Sequence, residues 1–458
     1  MEKRGYFVNG DALAIIEVCE NWYKNVEDEE FHKRKNLNNK EIHLNRLNFA
    51  KRCCADDANL CEIVSVAPEK ESVSQKFIDD ILISNRFAVQ YRKQLEKTSA
   101  SGTTGAYVYL KDATYIKGPK DTINVKGGVI KLNYCEADCI IPLTVENDLI
   151  TECAFCGTNK VKGKEQTTLV IFTLENGKYK ADTVIFDNKE TLVDESSIQL
   201  GEVKPFAILT NAEVNNLDNM EGYGIPKLYN AIPLLKSLDL CYNILYGDLD
   251  KGEKIVFLNE LLAEINKKDD GSHVLTPRQK DLFVLLGEKL PNEKTLIQEY
   301  NPEIRVEDIT KAFELVLSLL SMTFGYGSKK YTFENGKITT ATEYIGTKQD
   351  SMQELNKQRA NAKDYINDII HAAMWFSNQF HKTSFNVEEE LSIEFDDSYI
   401  VDKESKLETM RADAVTFSDI PILLVWYLME RYNLSEEEAR KHIAEGSGTE
   451  DDNDDLTD

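Results

Sequence analysis

Two stretches of the chain repeat apolar side chains at intervals of three and four, the period of a helix with one buried face. This pattern predicts one helix over residues 228–249 and a second over residues 306–324. Gly325 and Gly327 follow the second stretch directly, and we expect them to end it. A third helix is predicted over residues 343–380, polar in its first half and apolar in its second.

Between residues 106 and 186 the apolar period changes to two, in β-rich runs such as AYVYL, TLVIFTL and ADTVIF. This predicts a mainly antiparallel sheet, with hairpin turns at Gly127-Gly128 and Asn176-Gly177. The first hundred residues are predicted to be helical.

Residues 250–302 separate the two predicted helices and combine a strand-like KIVFL with a helix-like PRQKDLFVLLGEK. Because this segment must leave and rejoin one end of the helix pair, we expect it to protrude. Near the carboxyl terminus, Ser435 and Glu438 have the spacing of a capping box, which predicts a helix start. The final GSGTEDDNDDLTD is acidic and poor in apolar residues, so we expect it to be disordered.

The length and charge of the chain limit the class of protein. A chain of 458 residues predicts two to four modules. No apolar run reaches the roughly 18 residues of a membrane span, and the amino terminus does not resemble a signal peptide, so we expect folding in the cytosol. The formal net charge of −25 argues against a protein that wraps duplex DNA, because affinity for DNA comes mainly from cations on phosphates.

Four of the nine cysteines form a pattern with two interpretations. Cys135 and Cys139 are followed by Cys153 and Cys156, which approaches the spacing of a zinc ribbon. One interpretation is therefore a zinc-binding protein that binds or modifies nucleic acid through these four thiolates. The other is that the cysteines are small apolar residues packed in strands.

Enzyme motifs are missing from the sequence. It contains no H-E-x-x-H, no G-x-S-x-G and no P-loop lysine. We expect no catalytic residue, no cofactor and no enzymatic activity.

A lysine-containing segment lies between the second and third predicted helices. Lys329, Lys330 and Lys337 flank the turn pair Asn335-Gly336, which predicts a projecting loop. The run Thr340-Ala341-Thr342-Glu343 then opens the third helix.

This order of helix, loop and Thr-Ala-Thr-Glu helix start resembles the portal, or head-to-tail connector, proteins of long-tailed bacteriophages from Gram-positive hosts. Residues 85–110 resemble the wing helix and its entry into a sheet, and residues 225–249 resemble the first stem helix. Two features depart from the family pattern. Tyr344 replaces the usual valine after Thr-Ala-Thr-Glu, and FSDIPILLVWYL replaces the usual entry to the crown.

The resemblance implies an α+β portal fold, with a β-rich wing, a helical stem, a protruding α/β clip and a helical crown, assembled as a ring. The implied modules are a wing over 1–226 (helical, then an antiparallel sheet), a first stem helix over 227–249, a clip over 250–303, a second stem helix over 304–325, a tunnel loop over 326–340, a long helix and late wing strand over 341–404, a crown over 405–446 and a disordered acidic tail over 447–458.

The resemblance also implies a function and partners. About twelve copies would form a ring-shaped DNA channel at the capsid vertex. The ring would bind the terminase large subunit during packaging, the head-completion adaptor afterwards, and the major capsid and scaffolding proteins during assembly in the host cytoplasm. Double-stranded DNA would pass without sequence specificity, close to Lys329, Lys330 and Lys337. No membrane is expected as a partner, and the final location is the virion.

Overall fold

Helices and strands occupy largely separate stretches of the chain, with β-strands from Thr103 to Thr210 uninterrupted by an α-helix among the described residues, which confirms the prediction of an α+β fold. The structure is a computed structural model, and it describes residues 1, 5–35, 39–70, 72–117, 123–161, 163–188, 191–252, 255–259, 283–286, 297–301, 303–328, 330–332, 341–396, 403–416, 420–432 and 434–447. These residues belong to two compact units. The first comprises Met1–Cys61 and Ala67–Leu391, and the second comprises Glu62–Val66 and Ser392–Asp458.

The helices described are α1 (Gly10–Tyr23), α2 (Glu29–His32), α3 (Phe49–Ala58), α4 (Gln75–Ser84), α5 (Phe87–Ser101), α6 (Lys227–Lys251), α7 (Val306–Thr323), α8 (Ala341–Phe376), α9 (Lys403–Thr416), α10 (Pro421–Tyr432) and α11 (Glu436–Ser447). A π-helical turn, Ser377–His381, follows α8.

The strands described are β1 (Lys33–Lys35), β2 (Glu41–His43), β3 (Ile63–Pro68), β4 (Thr103–Lys111), β5 (Thr114–Lys117), β6 (Ile123–Lys126), β7 (Val129–Glu136), β8 (Ile140–Glu146), β9 (Leu149–Val161), β10 (Lys164–Glu175), β11 (Lys178–Asp187), β12 (Leu192–Gln199), β13 (Phe206–Thr210), β14 (Ile255–Asn259), β15 (Phe283–Leu286), β16 (Ile297–Tyr300) and β17 (Leu391–Phe395).

Two antiparallel sheets form the core of the first unit. Strands β8 to β12 make a five-stranded meander, and β4 lies between β13 and β7 in a three-stranded sheet. Aromatic side chains from both sheets meet at ring distances of 5.1 to 5.8 Å, and they are Tyr107, Phe155, Phe172 and Phe206. The two sheets therefore pack face to face around an aromatic core.

The two predicted hairpin turns have different outcomes. Asn176 and Gly177 both have positive φ between paired strands β10 and β11, as a two-residue hairpin turn requires, so this prediction is confirmed. Gly127 and Gly128 join β6 to β7, which belong to different sheets, so the hairpin predicted there is wrong. Glycine is needed at position 128 for another reason: φ is +97°, and a Cβ would lie 2.9 Å from Ala113.

Helices α6 and α7 pack side by side in opposite directions. At one end, the guanidinium of Arg305, just before α7, forms two hydrogen bonds of 2.9 and 2.8 Å with the carboxylate of Asp248 near the end of α6. The chain segment that connects α6 to α7 contains a small sheet, in which β14 pairs in parallel with β15 and antiparallel with β16. The helix predicted in PRQKDLFVLLGEK is therefore wrong at Phe283–Leu286, because pairing with β14 holds these residues extended.

The polar early half and apolar late half predicted for the third helix are reflected in the packing of α8. Its late half buries apolar side chains, among them Tyr365, Ile366, Ile369 and Ile370. Before this stretch, the Gln358 side chain accepts from the N–H of Ala212 at 2.9 Å and donates to the carbonyl of Thr210 at 3.2 Å. Helix α8 is thereby held along β13.

Short strands and helices outside this core revise and extend the sequence predictions. Strands β1, β2 and β3 lie in the first hundred residues, where only helices were predicted, so that prediction is wrong there. Strand β3 pairs with β17, which lies far along the chain.

In the second unit, Ser435 and Glu438 form the hydrogen bonds of a capping box at the start of α11, as predicted. The prediction of disorder in the acidic tail is wrong at Gly446 and Ser447, which continue α11, and the rest of the tail, from residue 448 onwards, lies outside the described residues.

Candidate functional site at the foot of the predicted tunnel loop

The predicted loop residues fall into two groups. Those outside the described residues are Lys329, Asn335, Gly336, Lys337 and Thr340. Thr342 and Glu343 lie in the first turn of α8, and Lys330 lies just after the end of α7, with its Nζ 5.7 Å from the centre of the Tyr326 ring. The assignment of DNA contacts to the three lysines stays a prediction.

The chain leaves α7 through two glycines that surround a buried tyrosine. Gly325 and Gly327 have φ of +76° and +70°, a conformation that favours glycine. Tyr326 between them is 2% exposed, and its hydroxyl donates a hydrogen bond of 2.9 Å to Oδ1 of Asp57 at the end of α3. The first part of the predicted loop is therefore fixed to the body of the first unit.

Tyr331 provides a second attachment of the same segment. Its backbone N–H donates to Oγ of Ser321 at 2.9 Å, and Ser321 in turn donates to the carbonyl of Leu317. The Tyr331 ring packs edge-on against Phe49 at 5.1 Å and lies 6.3 Å from the Tyr326 ring. We call residues 325–328 and 330–331 the loop foot.

A buried charge cluster lies beside the loop foot. Nζ of Lys227, the first residue of α6, lies 2.9 Å from Oδ1 of Asp57 and 3.1 Å from Oε1 of Glu354 on α8, and the Lys227 side chain is 1% exposed. Asp57 Oδ1 also accepts the Tyr326 hydroxyl. One carboxylate oxygen therefore joins the loop foot to the start of α6.

Burial and neighbouring charges set the protonation of this cluster. Burial disfavours the charge on Lys227, but the attraction of Asp57 and Glu354 outweighs it, so the pKa of the amine is raised. Glu213 lies in the same electrostatic environment; burial raises its pKa, Lys227 opposes the shift, and Glu354 and Asp57 add to it. Burial and then Asp57 raise the pKa of Tyr326, which keeps its hydroxyl protonated as a donor. The cluster is therefore a structural one that fixes chain segments.

Only weak signals in the sequence indicate these residues. Lys227 directly follows a proline at a helix start. A cation there is disfavoured by the helix dipole, so a nearby carboxylate is expected to compensate for it. Tyr326 lies between two glycines that take positive φ. The partners Asp57 and Glu354 are distant in the sequence, so no local pattern indicates them.

Helices α6 and α7 both expose apolar side chains. On α7, the exposed residues Leu315, Leu319 and Met322 follow helical spacing, opposite the buried stripe that contains Phe313 and Leu317. On α6, the exposed apolar residues include Leu240, Ile244, Tyr246 and Leu249, which lie on different sides of the helix. We call the α7 set, Leu315, Leu319 and Met322, the outer apolar face.

The four cysteines of the zinc interpretation do not converge. Cys153 and Cys156 belong to one continuous strand, β9, and their odd spacing directs the side chains to opposite faces. Cys156 packs with Ile141 and Leu169 on one face of the sheet, whereas Cys153 is on the face that carries Phe155. Burial is the main cause that raises the pKa of all four thiols, which disfavours the thiolates that zinc requires.

A different group brings carboxylates together. Among the described residues, the ligand atoms of Glu20, Glu136 and Asp138 lie within 4.8 Å of one another. Lys24 contacts Glu20 at 2.5 Å, and Lys97 contacts Glu136. The two ammonium groups already supply positive charge to this group.

Comparisons with known proteins give structural similarity but no match of sequence. No family model matches the sequence, and no curated protein matches it. Among the described residues, no helix is long and apolar enough to cross a membrane. Among solved structures, the chain is similar to one described as "Neck of native GTA particle computed with C12 symmetry", with 11% identity and a TM-score of 0.38, over 86% of this chain and 89% of that chain.

Proposed function

We propose that the chain is a portal subunit that forms a ring-shaped DNA channel at a capsid vertex. In this role the ring binds the terminase large subunit for packaging, then the head-completion adaptor, and allows DNA to leave during ejection. Capsid and scaffolding proteins are its partners during assembly. The modules are those that the portal resemblance implies, from the wing at residues 1–226 to the acidic tail at 447–458.

The observation that carries this proposal is the arrangement around the antiparallel pair of α6 and α7. The small sheet is inserted at one end of the pair, beside Arg305 and Asp248, and the loop foot lies at the other end, beside Lys227. In this proposal the helix pair is the stem, the small sheet at one end belongs to the clip, and the loop foot at the other end leads into the tunnel loop. It agrees with the Thr-Ala-Thr-Glu helix start that carries the resemblance.

The outer apolar face supports assembly. A leucine side chain that goes from exposed to fully buried contributes about 1.5–3 kcal/mol. Leu315 is 63% exposed and Met322 is 58% exposed in the single chain, so contact with a neighbouring copy would recover much of this energy. Contacts between different surfaces of successive copies close into a ring when the rotation permits.

The charge of the chain is compatible with a conduit. A net charge of −25 per copy repels phosphate, which favours sliding over tight binding. Lys329, Lys330 and Lys337 would then supply weak, salt-sensitive contacts with passing DNA. Such contacts do not depend on base sequence.

The ring is tested by imaging and light scattering of the purified protein. We expect closed rings of about twelve copies for the natural sequence. Leu315→Glu with Leu319→Glu should shift the protein to monomers, because charges on the outer apolar face cannot be buried without partners. The matched control is Leu149→Glu with Leu192→Glu, two exposed leucines of the sheet. A natural protein that stays monomeric at high concentration would refute the ring.

The DNA contact is tested in packaging. Replacing Lys329, Lys330 and Lys337 with glutamate should leave rings and proheads intact but lower the amount of DNA packaged or retained. The control replaces the exposed Lys160, Lys164 and Lys178 with glutamate, which changes the net charge equally on the sheet. Loss of rings in the loop variant, with packaging per surviving ring unaltered, would show that the loop has a structural role instead.

A further inference from the structure

Two parts of the first unit contact the amine of Lys227, and a third part is joined to it through Asp57. Asp57 comes from the end of α3, Glu354 from the fourth turn of α8, and Tyr326 from the loop foot. Two of these parts, the loop foot and α8, precede and follow residues 333–340 in the chain. The amine itself belongs to the first residue of α6.

The contacts form a continuous path between the loop foot and α8. The Tyr326 hydroxyl donates to Asp57 at 2.9 Å, Lys227 lies 2.9 Å from the same Asp57 oxygen, and it lies 3.1 Å from Glu354. The backbone adds a direct contact, since a Cβ at Gly325 would lie 3.0 Å from Cγ of Glu354. Gly325 thus packs tightly against the same glutamate.

We propose that the Lys227 cluster is a coupling device that makes the loop foot, the start of α6 and the turn of α8 around Glu354 open and close as one unit. The physical reason is that the cluster is nearly closed to solvent. Separating Lys227 from either carboxylate breaks one of its two buried ion pairs, so partial opening is unfavourable. The loop foot can therefore move only if the turn of α8 around Glu354 moves with it.

In the proposed portal this coupling regulates the tunnel loop, and that consequence depends on the proposed function. Force exerted by DNA on the loop would reach α6 and α8 through Lys227 and Glu354. The coupling itself can be measured without DNA. Ring formation is scored separately by imaging, so failure of the coupling and failure of the portal proposal give different results.

The test is amide hydrogen exchange on the full-length protein with Tyr326→Phe. This change removes one hydroxyl, and with it the hydrogen bond to Asp57, without creating a large cavity. We expect exchange to become about tenfold faster at the loop foot, and also at residues 352–358 on α8, because the hydrogen bond to a charged group is lost. Acceleration confined to the loop foot would overturn the proposal.

The matched control is Tyr331→Phe, which changes the other tyrosine of the loop foot but removes no hydrogen bond to Asp57. Its exchange at residues 352–358 should equal that of the natural protein. The reciprocal variant, Glu354→Gln, keeps the shape of the side chain and removes its negative charge. It should accelerate exchange at Tyr326 and Tyr331, and unchanged exchange at both would also overturn the proposal.

Discussion

The paired sheets bury their large aromatic side chains within one chain, whereas the helix pair leaves several apolar side chains exposed. In the sheets, Phe155 and Phe206 are almost fully buried and meet Tyr107 and Phe172 across the interface. In the helix pair, α7 buries one stripe and exposes Leu315, Leu319 and Met322 on the other side. The sheets therefore complete their core within one chain, whereas the helix pair has a surface suited to a neighbour.

This difference separates what stabilises the fold from what is available for assembly. A buried aromatic residue contributes to the free energy of unfolding of the single chain. An exposed leucine contributes little until another molecule covers it. Substitutions in the two regions should therefore change different measured quantities.

The largest effect is expected in the sheet core. Phe155→Ala removes a ring that contacts Tyr107, Phe172 and Phe206, so it should lower the free energy of unfolding by about 3–5 kcal/mol. Urea denaturation of the purified protein measures this. A loss below 1 kcal/mol would mean that the two sheets do not share this core.

A smaller effect is expected from Glu213, near the place where α6 begins. Its pKa is raised above the ordinary value of 4.5, chiefly by burial, so its contribution to stability is complete below that pH and is lost as the pH rises through the folded-state pKa. Glu213→Gln should therefore stabilise the protein at neutral pH and flatten the pH dependence of its melting temperature. The exposed Glu221→Gln is the control, and equal pH profiles for both variants would contradict the assignment.

Leu315→Ser should have almost no effect on the single chain. Its side chain is 63% exposed, so the free energy of unfolding of dilute monomer should change by less than about 0.5 kcal/mol. The same variant should weaken association measured by sedimentation. A large loss of stability without any change in association would remove the distinction between the two regions.

No effect is expected from metal removal. Because Cys153 and Cys156 are on opposite faces of β9, a chelator should leave the melting temperature unchanged, and elemental analysis should find no stoichiometric zinc. One tightly bound zinc per chain would restore the zinc interpretation.

The sequence predicted the elements whose pattern is local. The repeat of three and four indicated α7, observed at Val306–Thr323, because a helix is built from neighbouring residues. Strand β3 was missed because its partner β17 lies far along the chain, and Phe283–Leu286 was misassigned because pairing with β14 determines its conformation. The Lys227 cluster was missed for the same reason: its partners come from three distant segments.

The ion pair between Arg305 and Asp248 has a consequence for the inserted segment. It fastens the two helices directly beside the point where the inserted segment leaves and returns, with two hydrogen bonds of 2.9 and 2.8 Å. Because the two ends of the inserted segment are joined by this pair whatever lies between them, we expect residues 250–303 to tolerate changes in sequence and length that leave α6 and α7 in place.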